Sequence, residues 1–320
     1  MKRILVVGAG GQIGTELVPH LQKNYGFDNV IAADLRPEIV EKLARNSHAI
    51  TLDALDAEAY AGTVKKHKID AIFNLVALLS ATGEKNPQLA WNINMGALLN
   101  SLNIAKENGC AVFTPSSIGA FGDNTPHYKT PQDTVMRPNT IYGVCKVSGE
   151  LLSDYYFTRF GVDTRSVRFP GIISNGCLPG GGTTDYAVEV FYHAVKAGKY
   201  TCEVPQNTYM DMLYMPDALE ATTQLMEADP SGLVHRNSFN ITSMSFTPEQ
   251  LFTEIKKRIP EFTWDYKIDP VKEKISASWP DCMDDSCARK EWGWNPKWGL
   301  NEMIDDMIAA CRRKLANGEY

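Results

Sequence analysis

The chain has 320 residues, 44% hydrophobic and 22% charged, the composition of an ordinary globular protein able to bury a full core. A formal charge of −6 argues against a nucleic-acid partner, and no apolar run is long enough to cross a bilayer, so no membrane partner is expected. Seven scattered cysteines without a CxxC pair and six dispersed histidines without HExxH offer no disulfide framework and no metal spacing; a reducing cytoplasm is expected, and metal: none.

The start, "MKRILVVGAGG", enters a strand at once and leaves no room for a signal or transit peptide. The runs "RILVV", "NVIAA", "HAITL", "DAIFNLV", "CAVFTP" and "DTRSVRF" read as buried strands. Between them, "GQIGTELVPHLQKN", "DAEAYAGTVKKH", "PQLAWNINMGALLNSLNIAKEN" and "TIYGVCKVSGELLSDYYFTRF" read as helices. Near-continuous apolar strands alternating with helices predict an α/β fold, a doubly wound parallel sheet of the Rossmann type. After about residue 170 the rhythm changes. A Gly-rich loop, "NGCLPGGGTTD", leads into the helix "DYAVEVFYHAVKAGK", a strand at "NSFNIT", a helix at "TPEQLFTEIKKRI" and a Trp-rich tail. Residues 1–172 are therefore expected to form the dinucleotide-binding domain. Residues 173–320 are expected to form a smaller, mostly helical lobe, interleaved with the end of the sheet, that covers a ligand cleft.

"VVGAGGQIG" puts Gly8, Gly11 and Gly14 between the first strand and the first helix. The first glycine permits the tight turn, the second lets a pyrophosphate approach the backbone, and the third brings helix and strand together. The N–H groups at the helix start, around Gln12 and Ile13, then favour phosphate. Asp34 ends the second strand twenty positions past Gly14, where a carboxylate accepts from both ribose hydroxyls and repels a 2′-phosphate. The expected cofactor is NAD rather than NADP, with Arg36 the one feature arguing the other way. Asp53, after the third strand, reads either as an adenine contact or as a helix N-cap.

Ser116 and Ser117 stand at the carboxyl end of the fifth strand, where open α/β sheets bind ligands. The chain holds two Tyr-x-x-x-Lys pairs, Tyr142/Lys146 and Tyr192/Lys196. The first lies on the helix that follows the serines and can face them, and the second lies beyond the Gly-rich loop without such a partner. A phenol, with an ordinary pKa of about 10, is a poor base at neutral pH. A cation about 4 Å away at an effective dielectric near 20 contributes about 4 kcal/mol to a phenolate. Tyr142 is thus the expected base for an alcohol proton, Lys146 its cation, and Ser117 the group that positions the substrate oxygen. Cys145, between them, is expected to be packing.

Together, "GAGGQIG", Asp34, "NLVALLS", "NINMGA", "PSSIGAFG" and Tyr142-x-x-x-Lys146 resemble the extended short-chain dehydrogenase/reductase superfamily, the group containing UDP-galactose epimerase. The resemblance implies that Leu75, Ala77 and Asn94 contact the cofactor beside the glycine turn. Two positions depart from the sugar-nucleotide enzymes. Gly171 stands where they carry a diphosphate-binding Asn, and Met210 where they carry an Arg. The segments "PGGGTTDYAVEVF", "RFPGIIS" and "SASWPDCMDDSCARKEWGW" are similar to those of the short-chain-type L-threonine 3-dehydrogenases. That likeness implies NAD-dependent oxidation of the threonine 3-hydroxyl to 2-amino-3-oxobutyrate, with Ser80, Ser117, Tyr142 and Thr184 on the substrate and Gly180 and Trp279 lining the pocket. Ser80 also reads as an ordinary loop hydroxyl, and Trp279 as packing. The superfamily usually dimerises through the helices flanking the active-site tyrosine, so a homodimer is expected. The competing expectation is a nucleotide-sugar epimerase or dehydratase that retains its NAD.

Overall fold

The structure, a computed structural model, describes residues 1–176 and 182–319. In the first half, β1 (Ile4–Val7) turns into α1 (Gln12–Tyr25), followed by β2 (Val30–Asp34), α2 (Pro37–Leu43), β3 (His48–Thr51), α3 (Ala57–His67) and β4 (Ala71–Asn74). A single helical turn, α4 (Ser80–Gly83), precedes α5 (Pro87–Asn108), β5 (Ala111–Phe113) and β6 (Ser116–Ser117). Then come α6 (Ile141–Phe160), β7 (Thr164–Arg165), β8 (Val167–Phe169) and β9 (Gly171–Ile173). The second half holds α7 (Tyr186–Ala197), β10 (Lys199–Cys202), β11 (Met210–Tyr214), α8 (Met215–Glu227), β12 (Phe239–Asn240) and β13 (Met244–Phe246). It closes with α9 (Pro248–Arg258), β14 (Thr263–Tyr266), α10 (Pro270–Ala277), α11 (Ser286–Trp292) and α12 (Leu300–Ala316).

Six parallel strands form the central sheet in the order β3-β2-β1-β4-β5-β7. Residues of β1, β2 and β4 are all buried, as strands covered on both faces must be. The strand order reverses between β1 and β4, and ligands of such sheets bind beyond the carboxyl ends at that point. Two small three-stranded sheets continue the layer. In β12-β8-β6, Ser116 pairs with Arg168 and Ser117 with Phe169; in β13-β11-β9, Gly171 lies beside Met212. One apolar core runs from Ile4 and Leu17 through Leu213, Ala218 and Phe239 to Trp294. Residues 213–241 and 288–294 therefore pack on the dinucleotide-binding layer.

Several elements lie outside the sequence reading, among them helices α2 and α8 and strands β10, β11 and β14. Helix α2 sets Ile39, Val40 and Leu43 at helical spacing, but seven residues are too few for the period to stand out. Strands β10, β11 and β14 are four or five residues long, and β11, buried throughout, shows no alternation.

Helix α6 is held by a buried ion pair. Arg168 on β8 donates from Nη2 to Glu150 Oε2 at 2.8 Å and from Nε to Oε1 at 3.0 Å. Its Nη1 reaches the Gln132 carbonyl and Asn240 Oδ1, each at 2.9 Å. Ser116 Oγ also donates to Glu150. Removing one partner of such a pair leaves the other charged and buried, at a cost of about 3–5 kcal/mol. Glu150→Ala should lose stability of that order in urea unfolding. A loss below about 1 kcal/mol, the size of a surface pair, would mean the pair does not anchor α6.

Candidate active site

The cleft lies where the sheet order reverses. Its cofactor end, a recess of about 800 Å³, is lined by Gly8, Gly11, Asp34, Arg36, Asp53, Leu75 and Ala77. Leu75 and Ala77 also line the second part, a cleft of about 870 Å³ that holds Gln12, Ile13, Ser80, Ser117, Tyr142, Lys146, Thr184 and Trp279. The two parts thus meet at the end of β4, and all the sequence-predicted site residues but Gly14, Asn94 and Gly180 stand along them. Asn94 acts from behind. Its Oδ1 accepts from Leu78 N–H at 2.7 Å and its Nδ2 donates to the Leu78 carbonyl at 3.2 Å, which fixes the loop carrying Leu75 and Ala77. Gly180 lies outside the described residues.

The turn after β1 fits a pyrophosphate. Gly8 has φ +80°, and a Cβ on Gly14 would stand 2.6 Å from the Ala9 carbonyl oxygen. No side chain caps α1, so its first N–H groups remain available to an anion. Asp34 accepts from Gly10 N–H at 2.9 Å and is paired with Arg36, Nε to Oδ1 at 2.9 Å and Nη2 to Oδ2 at 3.2 Å. Burial works to raise this carboxyl, but the bonds from Arg36 and Gly10 outweigh it and hold it below the usual carboxylate range. Gly10 and the Arg36 partnership were not evident from spacing, because both depend on how the turn folds back over the end of β2. Asp53 is not the helix cap. It accepts from Leu55 N–H at 2.9 Å, and Asp56 caps α3 by accepting from Ala59 N–H at 3.0 Å.

At the other end, α6 starts at Thr140, whose Oγ1 accepts from Gly143 N–H at 3.1 Å, while Glu84 takes Ile141 N–H at 2.7 Å. A Cβ on Gly143 would fall 2.1 Å from the Gly119 carbonyl oxygen, so only glycine lets the helix seat this closely. That contact brings the Tyr142 ring against Gly119, beside Ser117 Oγ, which accepts from Gly119 N–H at 3.1 Å. Lys146 Nζ lies 5.3 Å from the centre of the Tyr142 ring and donates to the Pro115 carbonyl at 2.6 Å. Cys145 is buried behind the pair, and burial pushes its thiol up, so it is no nucleophile here.

The substrate wall is built by three segments. Thr183 and Thr184 stand just before α7; the Thr183 hydroxyl is buried and has no hydrogen-bond partner among the described residues. Ser80 opens α4 and is buried at the cleft floor. Trp279 packs with Ile118, Phe121, Ile275 and Met283, so packing and pocket lining are both its roles. Its segment is fastened by Asp211, which accepts from Met283 N–H at 2.7 Å and Thr242 Oγ1 at 2.5 Å. With neutral partners and full burial, this carboxyl is pushed up to about 8.

Tyr192, of the second pair, is buried in the core of the second lobe and does not line the cleft. Among the described residues, His235, Cys287 and Glu291 lie within 4.8 Å of one another. Glu291 there accepts from the N–H groups of Val234 and His235 at 2.6 and 3.1 Å and from the His235 ring, which accounts for the cluster as a braced turn away from the cleft. Among the described residues, no helix is long and apolar enough to cross a membrane.

Known proteins match this arrangement along almost all of the chain. An uncharacterized epimerase/dehydratase of Staphylococcus haemolyticus is 53% identical over 317 residues, 99% of this chain and 100% of that one. The L-threonine dehydrogenase structure from Clostridium difficile superposes with a TM-score of 0.96 at 50% identity, covering 98% of each chain. That from Phytophthora infestans gives 0.94 at 44% identity, covering 98% of this chain and 100% of the other. The family model for the NAD dependent epimerase/dehydratase family matches residues 4–242. With its glycine turn, its acidic strand end and Tyr142 beside Lys146, the chain belongs to the NAD dependent epimerase/dehydratase family, an extended short-chain dehydrogenase/reductase group that uses a nicotinamide cofactor.

Proposed function

We propose that the protein oxidises the 3-hydroxyl of L-threonine to 2-amino-3-oxobutyrate with NAD, without a metal. The observation that carries this reading is at Gly171. A Cβ there would fall 2.4 Å from Met212 Sδ and 2.8 Å from Thr184 Cγ2, so the position that holds a diphosphate ligand in sugar-nucleotide enzymes has no room for a side chain. Met210, at the second such position, is buried in the core. Among the described residues lining this part of the cleft, Lys146 is the only cation, and a diphosphate without basic partners binds poorly. A small amino acid suits the space instead. Its carboxylate would meet the N-terminal end of α7 and the unpartnered Thr183 hydroxyl. Thr184 and Ser80 would bound it on the cleft side, and Trp279 would close the apolar wall.

Bound nicotinamide supplies the hydride acceptor. Ser117 holds the substrate oxygen, Tyr142 takes its proton, and Lys146, fixed by the Pro115 carbonyl, keeps positive charge beside the phenol. Asp34 would receive the ribose hydroxyls. A 2′-phosphate would meet its carboxylate, and Arg36 is already paired with that carboxylate, which favours NAD over NADP. Asp53 lies in the same recess as an adenine contact. The free cysteines among the described residues suit a reducing cytoplasm.

We also propose a homodimer. Val144, Leu151 and Tyr155 are exposed along α6, and Trp91 and Leu99 along α5, an uncharged apolar surface on two long packed helices. A second copy of the chain presents the same surface, so two copies would cover it by a two-fold contact.

Purified protein with L-threonine and NAD should produce NADH, followed by absorbance. Turnover of a UDP-sugar with no NADH from threonine would select the epimerase reading. Tyr142→Phe should lower kcat by at least about 100-fold, the range of general-base catalysis, while NAD binding by calorimetry stays near wild type. Comparable turnover in that variant would remove Tyr142 from the chemistry. In sedimentation velocity the wild type should run as a dimer and Leu151→Glu as a monomer. A wild-type monomer at micromolar concentration would discount the helical face.

A further inference from the structure

Tyr192, set aside by the chemistry, leads to a second polar cluster, just past the cleft-lining residues of β9. The three residues Ser174, Asn175 and Gly176 are gripped there from three sides. Tyr192 on α7 donates its hydroxyl to the Asn175 carbonyl at 3.3 Å. From α12, Lys314 Nζ donates to the same carbonyl and to that of Gly176, the latter at 3.2 Å. Asn175 Nδ2 donates to the Tyr214 hydroxyl at 2.8 Å, and Tyr214 donates in turn to Asp306 at 2.5 Å.

The third side is Glu16, which lies on the cofactor helix. The buried Ser174 hydroxyl donates to its carboxylate, and Gly176 N–H bonds to Ser174 Oγ at 3.0 Å. A Cβ on Gly176 would stand 2.4 Å from Glu16 Oε1, so the carboxylate fills the space that a side chain would take. Burial pushes the Glu16 carboxyl above its usual range, and the Ser174 bond and the Lys314 charge pull it back. Glu16 is one helical turn beyond Gln12, which lines the cleft at the open end of α1. Ser174 is one residue past β9, whose Gly171 and Ile172 also line the cleft. One carboxylate therefore joins the helix that would hold the pyrophosphate to the strand end that would face the substrate.

We propose that Glu16 is a positioning residue that couples cofactor binding at α1 to the placement of the substrate wall through Ser174 and Gly176. The coupling is independent of which small substrate is used, and only its kinetic test rests on the L-threonine reading. Because the link is two hydrogen bonds in series, Gly176 N–H to Ser174 Oγ and Ser174 Oγ to Glu16, its removal should weaken substrate binding in the holoenzyme rather than the chemical step.

The test compares wild type with Glu16→Ala, which removes the acceptor, and with Gly176→Ala, which keeps the carboxylate but displaces it. Amide hydrogen exchange is followed with and without saturating NAD. In wild type, NAD should slow exchange both in α1 and at Ser174–Gly176. In each variant it should slow α1 only. The KM for L-threonine should rise about tenfold, within the usual range of coupling between sites, with kcat and the NAD dissociation constant changed less than about threefold. Ser174→Ala added to Glu16→Ala should change nothing further. Equal NAD protection of Ser174–Gly176 in wild type and variants, or none in wild type, would overturn the coupling. A retained exchange contrast in a protein that does not oxidise threonine would uphold the coupling and sink the substrate assignment instead.

Discussion

The site depends on how closely the start of α6 sits on the end of β6. The Gly143–Gly119 contact sets the distance, and the Glu150–Arg168 pair sets the rotation, because Glu150 lies two helical turns past Tyr142 on the same face. Lys146 lies between them. When the helix is pinned at both ends of this stripe, the phenol and the ammonium have little freedom to separate. The proposed general-base arrangement thus follows from backbone seating beside Tyr142 and one buried ion pair two turns away. A buried pair is weak evidence for stability on its own account. Here its consequence is geometric, since the same Glu150 also holds Ser116, the neighbour of Ser117.

Much of this arrangement was legible because it rests on local pattern. The buried runs of β1, β2 and β4, the glycine turn and Asp34 are short-range signals, and the structure places each where the doubly wound reading requires. What could not be read is relational. Asp34 points to free ribose hydroxyls and Arg36 to a 2′-phosphate, yet the two bind each other, and Asp53 leaves the capping of α3 to Asp56 three residues on. Helix α2 and strands β10, β11 and β14, four to seven residues long, are too short for a period to stand out.

The two Tyr-x-x-x-Lys pairs make the same point from the side of chemistry. Both tyrosines lie on helices, each one turn from its lysine. Tyr142 meets Gly119 and Ser117 at a strand end, while Tyr192 meets the Asn175 carbonyl and Lys314 inside a core. A phenol near an ammonium becomes a base only where a substrate can reach it. Elsewhere the same two groups serve as a brace.

At Gly171 the chain has no side chain, and the vacated space is taken by Met212 and Thr184 rather than left open. Thr184 thereby comes forward onto the cleft, next to the unpartnered Thr183 hydroxyl and the first turn of α7. A side chain introduced at 171 would have to displace both Met212 and Thr184.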